Sequence, residues 1–171
     1  EDAAHSRLVR LREKAAAAVE DRGRLGRAGG GVNEKAPVAI VPVEVPEQNS
    51  EPIAKARMIS IDIGDRTFDA VLENNLTAAE FFNRLPIELD LHELNGNEKY
   101  FRFADRFTVN DFNPKTIRAG DLMIYNGSYF VLFYETFATS FSYTRLGRIE
   151  NPNGLSEAVG SGDIHVRIIP K

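Results

Sequence analysis

Residues 121–134 read Asp-Leu-Met-Ile-Tyr-Asn-Gly-Ser-Tyr-Phe-Val-Leu-Phe-Tyr. Two apolar, aromatic-rich runs flank Asn126-Gly127, the dipeptide best suited to a two-residue turn because both positions must take φ > 0. The stretch therefore predicts a β-hairpin, with Leu122–Tyr125 on one side and Ser128–Tyr134 on the other. Its neighbours repeat the theme. Tyr143–Ile149 and Ile164–Ile169 have strand character, separated by the Asn151-Pro-Asn-Gly154 turn and a helical turn or two at Leu155–Val159.

The upstream pattern is equally regular. Ile59, Ile61 and Ile63 alternate with Ser60 and Asp62, Gly64-Asp65 makes a turn, and Phe68, Ala70 and Leu72 alternate on the return. Thr77-Ala-Ala-Glu80 fits a capping box that starts a helix, with Ala78, Phe81, Phe82 and Leu85 on its apolar side and Pro86 as its stop. Ile87, Leu89 and Leu91 alternate with Glu88 and Asp90, which places the two carboxylates on a wet face. After Asn95-Gly96-Asn97 a strand is expected from about Glu98 to Phe103. Residues 104–120 carry few periodic signals and read as a long loop, often a functional element in a compact domain. About eight short strands and two short helices predict a mainly β fold. Closure into an antiparallel barrel is the arrangement that leaves no strand edge open.

Charge divides the 171-residue chain. Residues 1–35 carry eight Lys/Arg against six Asp/Glu, residues 36–55 one against three, and residues 56–171 twelve against sixteen. Three segments follow: an N-terminal helix with a Gly-rich hinge (1–31), an extended proline-containing linker or arm (32–55), and the barrel (56–171). In the first, Leu8, Leu11, Ala15 and Ala18 give a thin apolar stripe over residues 3–22. In the second, Pro37, Pro42, Pro46 and Pro52 favour extended backbone, and Val38, Ile40, Val43 and Val45 suit contact with a folded surface. The segment Val41-Pro-Val-Glu-Val-Pro46 is a candidate to dock in the chain's own groove or a neighbour's.

Several function classes are excluded or disfavoured. A net charge of −4 argues against general nucleic-acid binding. No run reaches the ~18–20 apolar residues that span a bilayer. With no cysteine there is neither a disulfide nor a thiolate metal site, and His5, His92 and His165 stand in no ligand spacing, so no metal or cofactor is expected. Ser128 belongs to the hairpin, not to a nucleophile elbow. Gly160-Ser-Gly162 reads as the turn into the last strand, and no phosphate-cradling Gly-Lys-Ser/Thr follows Gly23–Gly31. The chain begins at Glu1, from which we expect a processed or trimmed product. That start leans toward a periplasmic or secreted location.

Two stretches mix aromatics with polar groups: Glu93–Phe103 and Phe133–Arg145. Apolar walls with a few convergent polar groups are what pockets use. Phe133 is expected in the barrel core, and the loop from Glu135 to Ser142 outside it. The candidate ligand-binding residues are Asn95, Glu98, Tyr100, Arg102, Phe137, Tyr143 and Arg145. Asn95, Glu98 and Arg145 would orient a ligand, the last being suited to a carboxylate or a row of carbonyls.

The same stretches carry a resemblance. Ile-Gly-Asp-Arg-Thr-Phe from 63, Leu-Pro at 85–86, Glu-Leu-Asn-Gly-Asn-Glu-Lys-Tyr from 93, Ala-Gly-Asp-Leu-Met-Ile-Tyr from 119 and Ser-Tyr-Thr-Arg-Leu-Gly-Arg-Ile from 142 resemble the bacterial cyclophilin-like domain proteins across roughly residues 57–170. The resemblance implies an eight-stranded antiparallel barrel with two capping helices. The catalytic signature of prolyl isomerases of this fold is missing, and the single glutamine, Gln48, lies in the linker. The expected function is a binding module for a small ligand or extended peptide, without catalysis. The alternatives are a divergent peptidyl-prolyl cis-trans isomerase, with Arg102 or Arg145 donating to the twisting amide, and a scaffold that recruits a partner through the N-terminal helix or arm.

Overall fold

Ile59, Ile61 and Ile63 turn one face of the first strand wholly inward, and the rest of the barrel is built around that choice. The structure is a computed structural model that describes residues 56–171; the expected N-terminal helix and the linker lie outside the described residues. The strands are β1 (Met58–Ile63), β2 (Arg66–Leu72), β3 (Ile87–Leu94), β4 (Glu98–Arg102), β5 (Thr116–Ile117), β6 (Asp121–Tyr125), β7 (Tyr129–Phe133), β8 (Phe137–Ala138), β9 (Thr144–Ile149) and β10 (Ile164–Pro170). Two helices, α1 (Leu76–Phe82) and α2 (Leu155–Val159), interrupt them. Eight strands close in the order β1-β10-β3-β4-β7-β6-β9-β2, and β5 and β8 pair separately as a short ribbon. Every neighbouring pair in the barrel is antiparallel. The fold is thus the mainly β, closed eight-stranded barrel with two helices that the strand pattern implies. The β5–β8 ribbon inside the expected loops is an addition that such short runs do not announce.

The interior is filled by one face of each strand: Ile59, Ile61, Phe68, Ala70, Leu89, Leu91, Leu122, Ile124, Phe130, Leu132, Leu146, Val166 and Ile168 share one cluster. The helices plug opposite ends. From α1, Phe81 lies stacked on Phe130 with centroids 5.5 Å apart and meets the edge of Phe103. Full burial of one such ring is worth about 1.5–3 kcal/mol. From α2, Leu155 and Val159 enter the same cluster near the start of β4.

The start of α1 departs from the capping-box expectation. Asn75 is the N-cap, its side-chain oxygen accepting from the Ala78 amide at 2.8 Å. Thr77 already lies inside the helix, and its hydroxyl donates to the Thr108 carbonyl. Glu80 accepts from the Thr108 amide and hydroxyl. An asparagine oxygen caps at least as well as a threonine's. Thr77 and Glu80 were thereby left to fasten the long loop onto the helix.

Candidate functional site

Strands β6 and β7 are buried at every position, on both faces. Alternation sends Leu122, Ile124, Phe130 and Leu132 inward, so Met123, Tyr125, Tyr129, Val131 and Phe133 point outward. There they join Leu94, Tyr100, Ile117 and Tyr143 in a second apolar cluster, with Phe137 and Phe141 packed half-buried against it. Phe133 is fully buried as expected, but in this outer cluster and not in the barrel interior. Phe133 meets Tyr143 edge to face at 5.6 Å and 88°, while Phe133 with Phe137 at 5.8 Å and Tyr125 with Tyr143 at 5.5 Å are tilted pairs. Such pairs add about 0.5–1.5 kcal/mol beyond area burial.

The long loop forms one rim of this surface. Phe112 and Tyr143 exchange both backbone hydrogen bonds at 2.9 Å. The Thr144 hydroxyl donates to Asp111 at 2.6 Å and accepts from the Asn110 amide at 2.9 Å. Arg145, opposite Met123 in the β6–β9 register, carries its guanidinium 5.2 Å from the centre of the Phe112 ring. A planar cation over an aromatic face keeps its N–H edges open to acceptors while the ring partly compensates its charge.

The residues singled out from the sequence are distributed as follows. Tyr100, Phe137 and Tyr143 belong to the outer cluster, and Arg145 stands at its rim. Glu98 lies on the same face of β4 as Tyr100 and is completely buried. Arg102 and Asn95 are exposed near opposite ends of β4, Asn95 in the β3–β4 turn with φ of 58°. Tyr100 and Tyr143 are no more than 1% exposed, which makes them the floor of the surface and not its contact points. The sequence reading missed Phe112 and Phe141. Both stand in segments without periodicity, and the flagged length of the 104–120 loop was the only available signal for the former.

A second polar constellation closes the barrel end beneath α2. Lys99 points inward from β4 and is fully buried. Its ammonium donates to Glu93 at 2.5 Å, to the Gly160 carbonyl at 2.8 Å and to the Gly162 carbonyl at 2.5 Å, which uses all three of its protons. The Tyr134 hydroxyl donates to both Glu93 oxygens at 3.0 Å. Burial first, and the Glu93 carboxylate second, push this phenol well above its ordinary range, so it is a donor and not a base at neutral pH. Glu93, Tyr134, Glu135 and Ser156 line a cavity of about 410 Å³ here. Within it the Ser156 hydroxyl donates to the Glu135 carboxylate at 3.0 Å. Nearby, Asp163 accepts from the Glu93 amide at 2.8 Å and contacts the His92 ring at 2.9 Å; these bonds, the amide first, hold its carboxyl below the usual range. The Gly160–Gly162 turn, read as a simple connection, is therefore also an acceptor site for a buried cation.

Among the described residues no three or more His, Cys, Asp or Glu side chains converge as a metal ion would require. No helix among them is long and apolar enough to cross a membrane.

The model of the Cyclophilin-like family matches residues 61–169. The chain is similar to a hypothetical protein of Archaeoglobus fulgidus whose structure was solved in solution. Identity is 17%, over 68% of this chain and 95% of that one, with a TM-score of 0.49. No curated protein matches the chain.

Proposed function

The chain belongs to the cyclophilin-like family, and from that premise we propose that its barrel is a binding module that holds an extended peptide or small ligand on the outer face of β4, β7 and β6 without performing catalysis. The observation that carries the reading is the Arg145 guanidinium seated over Phe112 at the rim of an aromatic surface. Phe137 and Phe141 are half-buried against that surface. Tyr100 and Tyr143 support them from below, with the buried Glu98 on the same face of β4. Arg145 supplies directional donors for a carboxylate or for successive peptide carbonyls. Arg102 and Asn95 would extend the contacts toward either end of β4.

The absence of catalysis is supported by the chemistry of the polar groups. The buried Lys99 and Tyr134 are committed to acceptors inside the barrel end.

The test uses the full chain, isotopically labelled, titrated with a panel of blocked hexapeptides containing one Xaa-Pro bond each. Shifts should concentrate at Phe112, Phe137, Phe141 and Arg145. Arg145→Ala should weaken binding by roughly ten-fold or more, the size of a lost hydrogen bond to a charged group, with the rest of the spectrum unchanged. Exchange spectra of the peptides should show no faster cis–trans interconversion. Acceleration would replace this reading with a divergent isomerase. Peptide binding that ignores Arg145→Ala and Phe112→Ala would remove the rim from the site.

A further inference from the structure

Three large apolar side chains are exposed among the described residues: Leu76 at 69%, Val109 at 41% and Phe112 at 37%. They come from two segments that hydrogen bonds tie to each other and to β9. Asn75, beside Leu76, donates to the Arg145 carbonyl at 2.8 Å, and Thr77, on its other side, donates to the Thr108 carbonyl. Asn110, beside Val109, donates to Thr144 at 2.9 Å, while Arg145 covers Phe112. Single exposed apolar residues are ordinary, but a cluster with one guanidinium beside it is the composition of a docking surface.

The path of the chain says what could cover it. The Arg57 carbonyl accepts from the Leu72 amide at 2.9 Å, Glu73 donates to the Leu146 carbonyl at 3.0 Å, and Asn75 then reaches Arg145. Because β1 runs antiparallel to β2, Arg57 lies opposite Leu72, at the end of β2 from which residues 73–76 lead to the cluster. The segment preceding it in sequence contains Val41-Pro42-Val43-Glu44-Val45-Pro46. Residues 47–55 can span about 30 Å at ~3.3 Å per residue, against roughly 10–15 Å from Leu72 to Leu76 along an extended backbone. Three valines and two prolines suit the apolar residues, and the one carboxylate suits the one guanidinium. Proline-containing extended segments lose little conformational freedom on docking against aromatic surfaces. A short tether also raises the local concentration to the millimolar range, so a weak intrinsic contact is filled.

We propose that residues 41–46 of this same chain dock on the Leu76–Val109–Phe112 surface, with Glu44 paired to Arg145, and so cover the rim that an external peptide would use. The proposal deepens the binding reading above and rests on it only where it speaks of competition; the docking itself needs no added ligand.

The chain has no cysteine, so Gln48→Cys in the full chain gives a single site for a nitroxide label just outside the docking segment. Backbone amides of Leu76, Val109, Phe112 and Arg145 should lose more than half of their intensity relative to the reduced label. Glu44→Arg should restore most of it, and Glu44→Arg combined with Arg145→Glu should bring the loss back. Broadening that ignores both charge reversals would mean a tether without a docked segment, and would overturn the proposal. Broadening seen only when spin-labelled and isotopically labelled chains are mixed would assign the surface to a second copy and overturn it equally. Peptide titration of the same samples separates the two readings. Peptides that bind Glu44→Arg several-fold more tightly than the parent support competition, whereas tight binding with no effect of Glu44 leaves the binding module standing and the arm proposal refuted.

Discussion

Replacing Lys99 by methionine removes one buried ammonium and keeps most of the side-chain volume. In the parent, that ammonium is fully buried and satisfies three acceptors: Glu93, which is 22% exposed, and the carbonyls of Gly160 and Gly162. Breaking a buried ion pair from one side costs about 3–5 kcal/mol, and stranding a buried carbonyl costs about 1–3 kcal/mol. Three features reduce the sum. Glu93 retains the two-oxygen contact from Tyr134 and the Gly96 amide at 2.8 Å, its exposure lets water reach it, and methionine fills most of the volume of the lysine stem. We therefore expect Lys99→Met to cost about 3–4 kcal/mol. Urea titration followed by circular dichroism should show the midpoint falling by ~1–4 M, given a slope of about 1–3 kcal/mol/M. Glu93→Gln should be destabilising alone, and the double variant should be milder than the sum by at least ~1.5 kcal/mol, since the two groups interact directly. A loss below about 1 kcal/mol for Lys99→Met, or strict additivity, would refute the assignment of this lysine as the tie that holds the α2 end of the barrel shut.

Three further expectations are narrower. His165 is bonded to Asp90 at 2.7 Å, and that bond, more than its Coulomb attraction, raises the imidazole above its ordinary value; the raised value means the contact stabilises the fold below the unfolded imidazole's pKa and is lost as pH rises through the folded one, and Asp90→Asn should move the His165 titration, read by NMR, toward lower pH. Asn75→Ala should cost ~1 kcal/mol, the usual value of an N-cap, whereas Thr77→Val should leave α1 intact and instead increase amide exchange around Thr108, a division that equal helix loss in both would contradict. A Cβ on Gly147 would lie 2.5 Å from the Val71 carbonyl oxygen and 3.0 Å from the Leu72 Cα, so Gly147→Ala should cost toward the upper end of the ~1–3 kcal/mol typical of overpacking, measured by thermal unfolding; an unchanged midpoint would show that the β2–β9 pairing yields easily.

Much of this barrel was legible because its strands are half-buried. Where one face meets the core and the other meets water, as in Ile59-Ser-Ile-Asp-Ile63 and Ile87-Glu-Leu-Asp-Leu91, period-two alternation fixes both the strand and its inward side. The Asn126-Gly127 turn and the resemblance to the family agreed with it. The helix start was harder to read, because Asn75, Thr77 and Glu80 all carry capping chemistry and only the packing of the 104–120 loop decided which of them capped. The candidate site was legible as composition but not as geometry. The aromatic run from Phe133 to Tyr143 announced an apolar surface, yet it did not reveal that the surface lies outside the barrel.

What the sequence determined by itself is the set of alternating strands, their turns, and the closed antiparallel arrangement that satisfies their edges. These depend on near neighbours along the chain. What only the tertiary structure decided is which of two apolar faces of β6 and β7 enters the barrel, that Tyr100 is buried while pointing outward, and that Lys99 is buried while pointing inward. Alternation has no contrast to read when both faces are covered. Ile117 of β5, Phe137 of β8 and Phe141 contribute to that cover, and for Lys99 the partners are carbonyls some sixty residues away. Burial of that kind is a property of distant segments brought together, and the local residues carry no trace of it.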